Sequence, residues 1–456
     1  MVSPTCNAPV APGPLPVIGH AWPLMRRPLR FARQLSEQGE LVEVRLGGVR
    51  ALVPCQPELL WRVLTDDRVF DKGGPFFDRV RATIGNGVGS CAFAEHRRQR
   101  RLIQPSFHPA RLAGYAVVME EEAAALVEGW REGRVVDAYQ ELFGAALRTV
   151  LRTLFAARDA DAVVDRFRGP VETVLHQLTF RMFVPPSLQR LPLPVNRRFD
   201  RAVGELRRGI ADLVAELRRG GTDRGDLVSA LIAARDDENG AKGGLEDDEI
   251  HDQVLTLVVA GADSVAAAVS WALYLLHDHP HVREQLEDEA DSALADRRAG
   301  VGDVGDMPDL PCTVRVITEA LRLYPPGWLF TRVTTDDTEL AGRRLPAGTT
   351  VAFCAPAVHR NPSVHRNPDV FDPDRWLPER ARGLPRGAFA AFGGGARKCA
   401  GEAYGLTEST MLLSTIIARR RLRLVPGSDV RPVALSTALR PRRLLMEVTT
   451  RRGRAT

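Results

Sequence analysis

Residues 392–401 read Phe392-Gly393-Gly394-Gly395-Ala396-Arg397-Lys398-Cys399-Ala400-Gly401, a single cysteine behind three glycines and two cations. The glycines let backbone amides come close to the sulfur, because no Cβ stands in the way. Amide donors and nearby positive charge favour a thiolate over a thiol. Phe392 is placed to shield one face of whatever the sulfur holds. A soft, sheltered, hydrogen-bonded thiolate is what a haem iron takes as axial ligand when dioxygen is to be cleaved. A buried structural cysteine is the plainer reading of an isolated residue, and ten ordered residues weigh against it.

Upstream, the stretch from Leu245 to His277, closed by Pro280, reads as one helix of roughly 50 Å. Thr256, Val259, Ala260, Asp263 and Ser264 share one face of it. An acid beside a hydroxyl in so apolar a helix is costly unless it has partners or a task. The small residues 260–262 leave room for a flat cofactor and a diatomic gas against the backbone. Glu319-Ala-Leu-Arg322 sets opposite charges one turn apart, and His96 and Arg100 stand at i, i+4. Leu41–Leu46, Gly47-Gly48 and Val49–Val53 predict a hairpin. Residues 71–95 read as a glycine-rich irregular loop carrying apolar side chains, a lid or binding loop. Helical periods recur over 110–235, broken at Val184-Pro-Pro and Leu191-Pro-Leu-Pro. We expect mainly α structure with small β-sheets (α+β), one domain over 1–456, and a disordered segment over 1–13.

Composition bounds the chemistry. The 456 residues carry a formal charge of +5, and their only lysines are Lys72, Lys242 and Lys398. That charge is too modest and dispersed for nucleic acid. Six scattered cysteines with no Cys-x-x-Cys pair exclude a disulfide framework and an iron–sulfur cluster, and predict a reducing cytoplasm. The longest apolar run, Val254–Ala262, is short of a membrane span, and the proline-rich start has no signal-peptide pattern.

At every fixed position, residues 392–401 resemble the Phe-x-x-Gly-x-Arg-x-Cys-x-Gly signature of the cytochrome P450 family. The segment around Ala260-Gly-Ala-Asp263-Ser264 is similar to the family's acid–alcohol motif, with serine in place of threonine. Glu319-x-x-Arg322 and the arginine of Phe371-Asp-Pro-Asp-Arg375-Trp376 are similar to its ion network. His96-Arg-Arg-Gln-Arg100 resembles its Trp-x-x-x-Arg site, with histidine for tryptophan. The resemblance spans roughly residues 14–450.

It implies haem b between the long helix and the cysteine loop, with Cys399 as the iron ligand. Ala260, Phe392, Gly393 and Gly401 would lie against the haem, and His96, Arg100, Arg332 and Arg397 would meet its propionates. Asp263 and Ser264 would deliver protons, while Glu319, Arg322 and Arg375 would be structural. The implied reaction inserts one atom of dioxygen into a substrate and releases the other as water. Electrons would come from NAD(P)H through a separate ferredoxin reductase and ferredoxin, with no membrane span and a monomeric enzyme. A basic patch of Arg97, Arg98, Arg101 and Lys398 would meet the ferredoxin.

Candidate substrate walls are Phe76, Phe77, Val80, Ile84, Thr256, Val259, Trp328, Leu329 and Ala438, an apolar set suited to a hydrocarbon. Several stretches, among them Leu191-Pro-Leu-Pro-Val-Asn-Arg-Arg-Phe199 and Glu249-Ile-His-Asp-Gln-Val254, are similar to bacterial sesquiterpene oxidases of the pentalenene and epi-isozizaene type. That similarity implies hydroxylation of a cyclic terpene in secondary metabolism. Asp236-Asp-Glu-Asn and Glu246-Asp-Asp-Glu249 lack the spacing of a terpene-cyclase motif and read as solvated turns. Alternatives are a peroxygenase or an isomerase on a polyketide, steroid or fatty acid, and a haem-binding sensor.

Overall fold

In the computed structural model, residues 8–155, 160–183, 186–220, 225–235, 243–298, 309–433 and 436–451 are described, and the central helix runs from Asp247 to His277. Its start is a correction to the expected solvated turn. Glu246 caps the helix and Glu249 reaches back to the Glu246 amide, a complete capping box. The acids at 247–249 also complement the positive end of the helix. Asp236–Asn239 lies outside the described residues.

The central helix packs most extensively on Ala138–Phe155, then on Glu402–Arg419 and Pro311–Leu323. Gly261 makes the first contact possible: a Cβ there would come 2.8 Å from Val150 Cγ2. That glycine therefore serves helix packing and not, as its position suggested, a cofactor. Among the described residues this one helix is long and apolar enough to cross a membrane, although no unbroken apolar run in the sequence is. Its apolar window is 78% buried, because it is the core of the fold.

The structure is mainly helical with small sheets. The predicted hairpin forms, Leu41–Leu46 pairing antiparallel with Val49–Pro54. It continues into a five-stranded sheet through Thr350–Cys354, Leu329–Thr334 and Phe70–Asp71. In that sheet Arg332 pairs with Val351, and Asp71 with Val333. Arg332 and the Asp71-Lys72 pair thus come to one end of it.

Two expectations fail here. Residues 8–13, expected disordered, lie along the first strand: Ala11 N donates to Glu43 O at 2.9 Å, and Glu43 N to Pro9 O at 2.8 Å. An open strand edge offers donors and acceptors that this segment satisfies. Residues 1–7 are outside the described set. The irregular loop 71–95 contains an 11-residue helix, Gly74–Ile84, stopped by Gly85 at φ +81°. A proline in its first turn is compatible with helix, and Phe76, Phe77, Val80 and Ile84 fall on one face.

Candidate active site

The cysteine loop is built on close approaches. Gly393 and Gly395 have φ of +74° and +64°, left-handed values that a side chain resists. A Cβ on Gly394 would lie 2.9 Å from the Trp61 ring, and one on Gly395 2.6 Å from Leu64 O. The glycines therefore seat the loop on helix Pro57–Thr65, and the amide at the sulfur comes from Gly401 instead. Cys399 N donates to Phe392 O at 2.9 Å, and Arg100 Nη1 holds Lys398 O at 2.6 Å. Cys399 alone of the described cysteines is exposed, and it opens onto an internal cavity. Burial raises its thiol pKa, while the Gly401 amide, Arg100 and Lys72 act in the opposite direction.

That cavity has a volume of about 420 Å³. Its walls bring together Ala260, Asp263, Ser264, Arg332, Phe392, Gly393, Arg397, Cys399 and Gly401. They also include all nine expected substrate-wall residues: Phe76, Phe77, Val80, Ile84, Thr256, Val259, Trp328, Leu329 and Ala438. Trp271 fixes the last of these. It donates from Nε1 to Leu439 O at 2.7 Å and stacks on Tyr324 at 3.9 Å. His96 and Arg100 are not on the cavity wall, because their helix, Phe93–Ile103, lies behind the loop.

The residues present fit a haem. Between Ile250 and Leu276 only Ala260 is exposed, so the central helix leaves one bare patch, and it faces the same cavity as the sulfur. Beside them Lys72, Arg100, Arg332 and Arg397 form a cationic cluster around His96, and the neighbouring acids are Asp67 and Asp71. Burial and the neighbouring cations push Lys72 down to about 7 and His96 down to about 3. A cluster that depresses its own members is short of negative charge, which two propionates supply. Arg397 is already tied to Cys91 O at 2.8 Å and Asp71 Oδ1 at 2.6 Å. Arg332 gives only Nη1 to Thr331 O, and Lys72 gives one hydrogen to Gly89 O, so both keep donors for the cavity. Lys72 escaped the sequence reading. Its signal was a rare lysine in an arginine-rich chain.

Asp263 and Ser264 do not bond to each other. Tyr139 donates to Asp263 Oδ1 at 2.6 Å and Thr437 donates to Oδ2, whereas Ser264 donates to Ala260 O at 2.8 Å. Neither partner of Asp263 was foreseen. Burial, followed by the Asp263 charge, holds the Tyr139 hydroxyl well above its ordinary pKa, so it remains a donor.

Behind the cysteine loop, Arg322 and Glu319 are fully buried and joined by two bonds of 2.8 Å. Arg375 Nε lies 3.5 Å from Glu319, and Trp376 Nε1 donates to it at 2.9 Å. Arg322 also donates to the carbonyls of His359, Pro368 and Val370. His359 returns an Nδ1 hydrogen bond to Arg322 O and accepts from Ala390 N at Nε2, which fixes it neutral. Burial pushes its pKa from 6.5 down to about 3, and that of His365 to about 4. The unfolded chain therefore binds protons that the folded one refuses. Stability is full above about pH 6.5 and declines as the pH falls toward 3. We expect the urea midpoint to drop between pH 7 and about pH 4.5, and to drop less in His359→Gln, whatever that variant costs at pH 7. Equal drops would assign the acid sensitivity elsewhere.

The model of the cytochrome P450 family matches residues 9–448, and the chain belongs to that family. It is 47% identical to pentalenene oxygenase of Streptomyces avermitilis, over 98% of each chain. It is 44% identical to cyclooctatin synthase of Streptomyces melanosporofaciens, over 96% of this chain and 95% of that one. With cyclooctat-9-en-7-ol 5-monooxygenase of the same organism it shares 42% identity, over 92% and 90%. The crystal structure of the cytochrome P450DA heme domain superposes with a TM-score of 0.86 at 27% identity, covering 98% of both chains. The protein is thus a haem-thiolate oxidoreductase that works with dioxygen, a substrate and external electron donors.

Proposed function

We propose that this protein hydroxylates a cyclic, sesquiterpene-like hydrocarbon in bacterial secondary metabolism. Electrons would reach it from NAD(P)H through a ferredoxin reductase and a ferredoxin, in the cytoplasm. The observation that carries this reading is the cavity: one space holds the Cys399 sulfur at one wall and a mainly apolar lining elsewhere, its charged groups being Lys72, Asp263, Arg332 and Arg397. Haem bound to Cys399 supplies the activation of dioxygen. The chain's own residues do the rest.

Lys72 and Arg332 anchor the cofactor through their free donors. Arg100 and Arg397 brace the loop that presents the sulfur, and His96 sits neutral among the same cations. Phe76, Phe77, Val80 and Ile84 line the cavity from a single helix face, and Val259 and Thr256 line it from the central helix. A hydrocarbon is held there by shape, and water is kept from the reacting carbon. Asp263 and Ser264 carry protons to the cavity from the central helix. Glu319, Arg322 and Arg375 keep the cysteine loop in place from behind. The terpene class follows the relatives named above, and the mainly apolar lining supports it. On the outer face Lys398 pairs with Glu402 and Arg98 with Glu249, so ferredoxin would compete with acids already bound there.

The test is a titration of the ferric holoenzyme, read by its spin-state spectrum. Cyclic sesquiterpene hydrocarbons are expected to shift it with a Kd of about 1–10 μM. A shift with fatty acids or steroids, and none with terpenes, would replace the substrate class and leave the enzyme class standing.

A further inference from the structure

The fastening of Asp263 leads outward as well as inward. Oδ2 is held by Thr437, which lies on the cavity wall, and Oδ1 by Tyr139, which does not. On its far side Tyr139 borders a second void of about 10 Å³, enough for a single water. Polar groups reach its walls from Tyr139, Gln140, Glu172, His176, Ser436 and Arg440, beside the apolar Phe143 and Leu175. Ser436 lines both this void and the main cavity, so the two spaces adjoin. His176 is exposed at the surface and accepts from Arg440 Nη2 at 3.0 Å, while the Arg440 guanidinium lies 4.6 Å above the Tyr139 ring.

We propose that Tyr139 is the gate of a proton route from solvent, entering beside His176, passing the water-sized void and the Tyr139 hydroxyl, and ending at Asp263. The inference rests on the monooxygenase reading, in which Asp263 supplies protons to the cavity. The balance closes. Tyr139 gives its hydroxyl proton to Asp263 Oδ1 as its oxygen takes one from a water in the void, and that water is reprotonated from solvent beside His176. Asp263 then releases a proton on the cavity side and returns to carboxylate. One proton crosses and no group is changed. Arg440 takes no part as an acid; its guanidinium lies over the Tyr139 ring and is held there by His176.

The test is Tyr139→Phe in the haem-loaded protein, a change that keeps the ring and its Arg440 contact. We expect turnover to fall about tenfold. The share of reducing equivalents recovered as hydrogen peroxide should rise, and the solvent isotope effect on turnover should grow. The Kd of a spin-shifting ligand should stay within about twofold, which a collapsed pocket would not allow. In the resting ferric protein the Asp263 carboxylate stretch should shift in the infrared, the band being assigned by its loss in Asp263→Asn. His176→Leu, on the exposed side, tests the same route with little risk to folding and should move peroxide yield and isotope effect in the same direction. Wild-type turnover, coupling and isotope effect in both variants would overturn the proposal. A wild-type enzyme that consumes NAD(P)H but oxygenates nothing would instead sink the monooxygenase reading, independently of Tyr139.

Discussion

Replacing Cys399 by serine abolishes turnover, and the reduced, carbon monoxide-bound protein loses its absorption near about 450 nm. Among the described residues the sulfur is the one thiol at the cavity, Met25 offering only a neutral thioether there, and the other described cysteines are buried away from it. A serine oxygen is hard, gives less electron density to iron, and receives the same Gly401 amide without becoming a comparable anion. The loop itself should survive. Its shape depends on Gly393 and Gly395 at positive φ and on contacts with Trp61 and Leu64, none of which the sulfur makes. The expected variant is therefore folded, with a melting temperature near wild type in its haem-free form, and inactive. A variant that keeps the 450 nm band would mean that another group holds the iron.

Glu319→Ala is expected to yield little or no haem-loaded protein. It removes the carboxylate that pairs with both Arg322 and Arg375, leaving Arg322 fully buried and charged with carbonyls as its remaining hydrogen-bond partners among the described contacts. Breaking a buried pair from one side costs about 3–5 kcal/mol. Domains are stable by only about 5–15 kcal/mol. The damage also spreads, since Glu319 receives Trp376 Nε1 and the Asp372 amide, which shape the segment leading to the cysteine loop. Urea denaturation of whatever soluble protein is recovered gives the number. A midpoint close to wild type would show that the ion pair is ornamental.

Much of this was legible in the sequence where chemistry and spacing coincide. The cysteine loop announces itself by residue type, and the central helix by a run from Val254 to Leu276 in which Asp263 is the one charged residue. Other features needed the third dimension. The face Phe76, Phe77, Val80 and Ile84 has helical spacing, yet the glycines around it suggested a loop. Those glycines act at the ends: Gly85 and Gly87 bring the turn against Asp252 and Thr256, where a Cβ would collide. Gly261 looked like room for a cofactor and is instead room for Val150. The partners of Asp263 are 124 and 174 positions away from it, so no local pattern could name Tyr139 or Thr437. Lys72 acquires its meaning only when the sheet sets it beside Arg332.

The most direct test of the account is turnover under ¹⁸O₂ by the holoenzyme with ferredoxin, its reductase and NAD(P)H, using a cyclic sesquiterpene hydrocarbon. The account predicts an alcohol carrying one ¹⁸O atom per molecule. An oxidised or rearranged product with no label, made with comparable use of reductant, would contradict it.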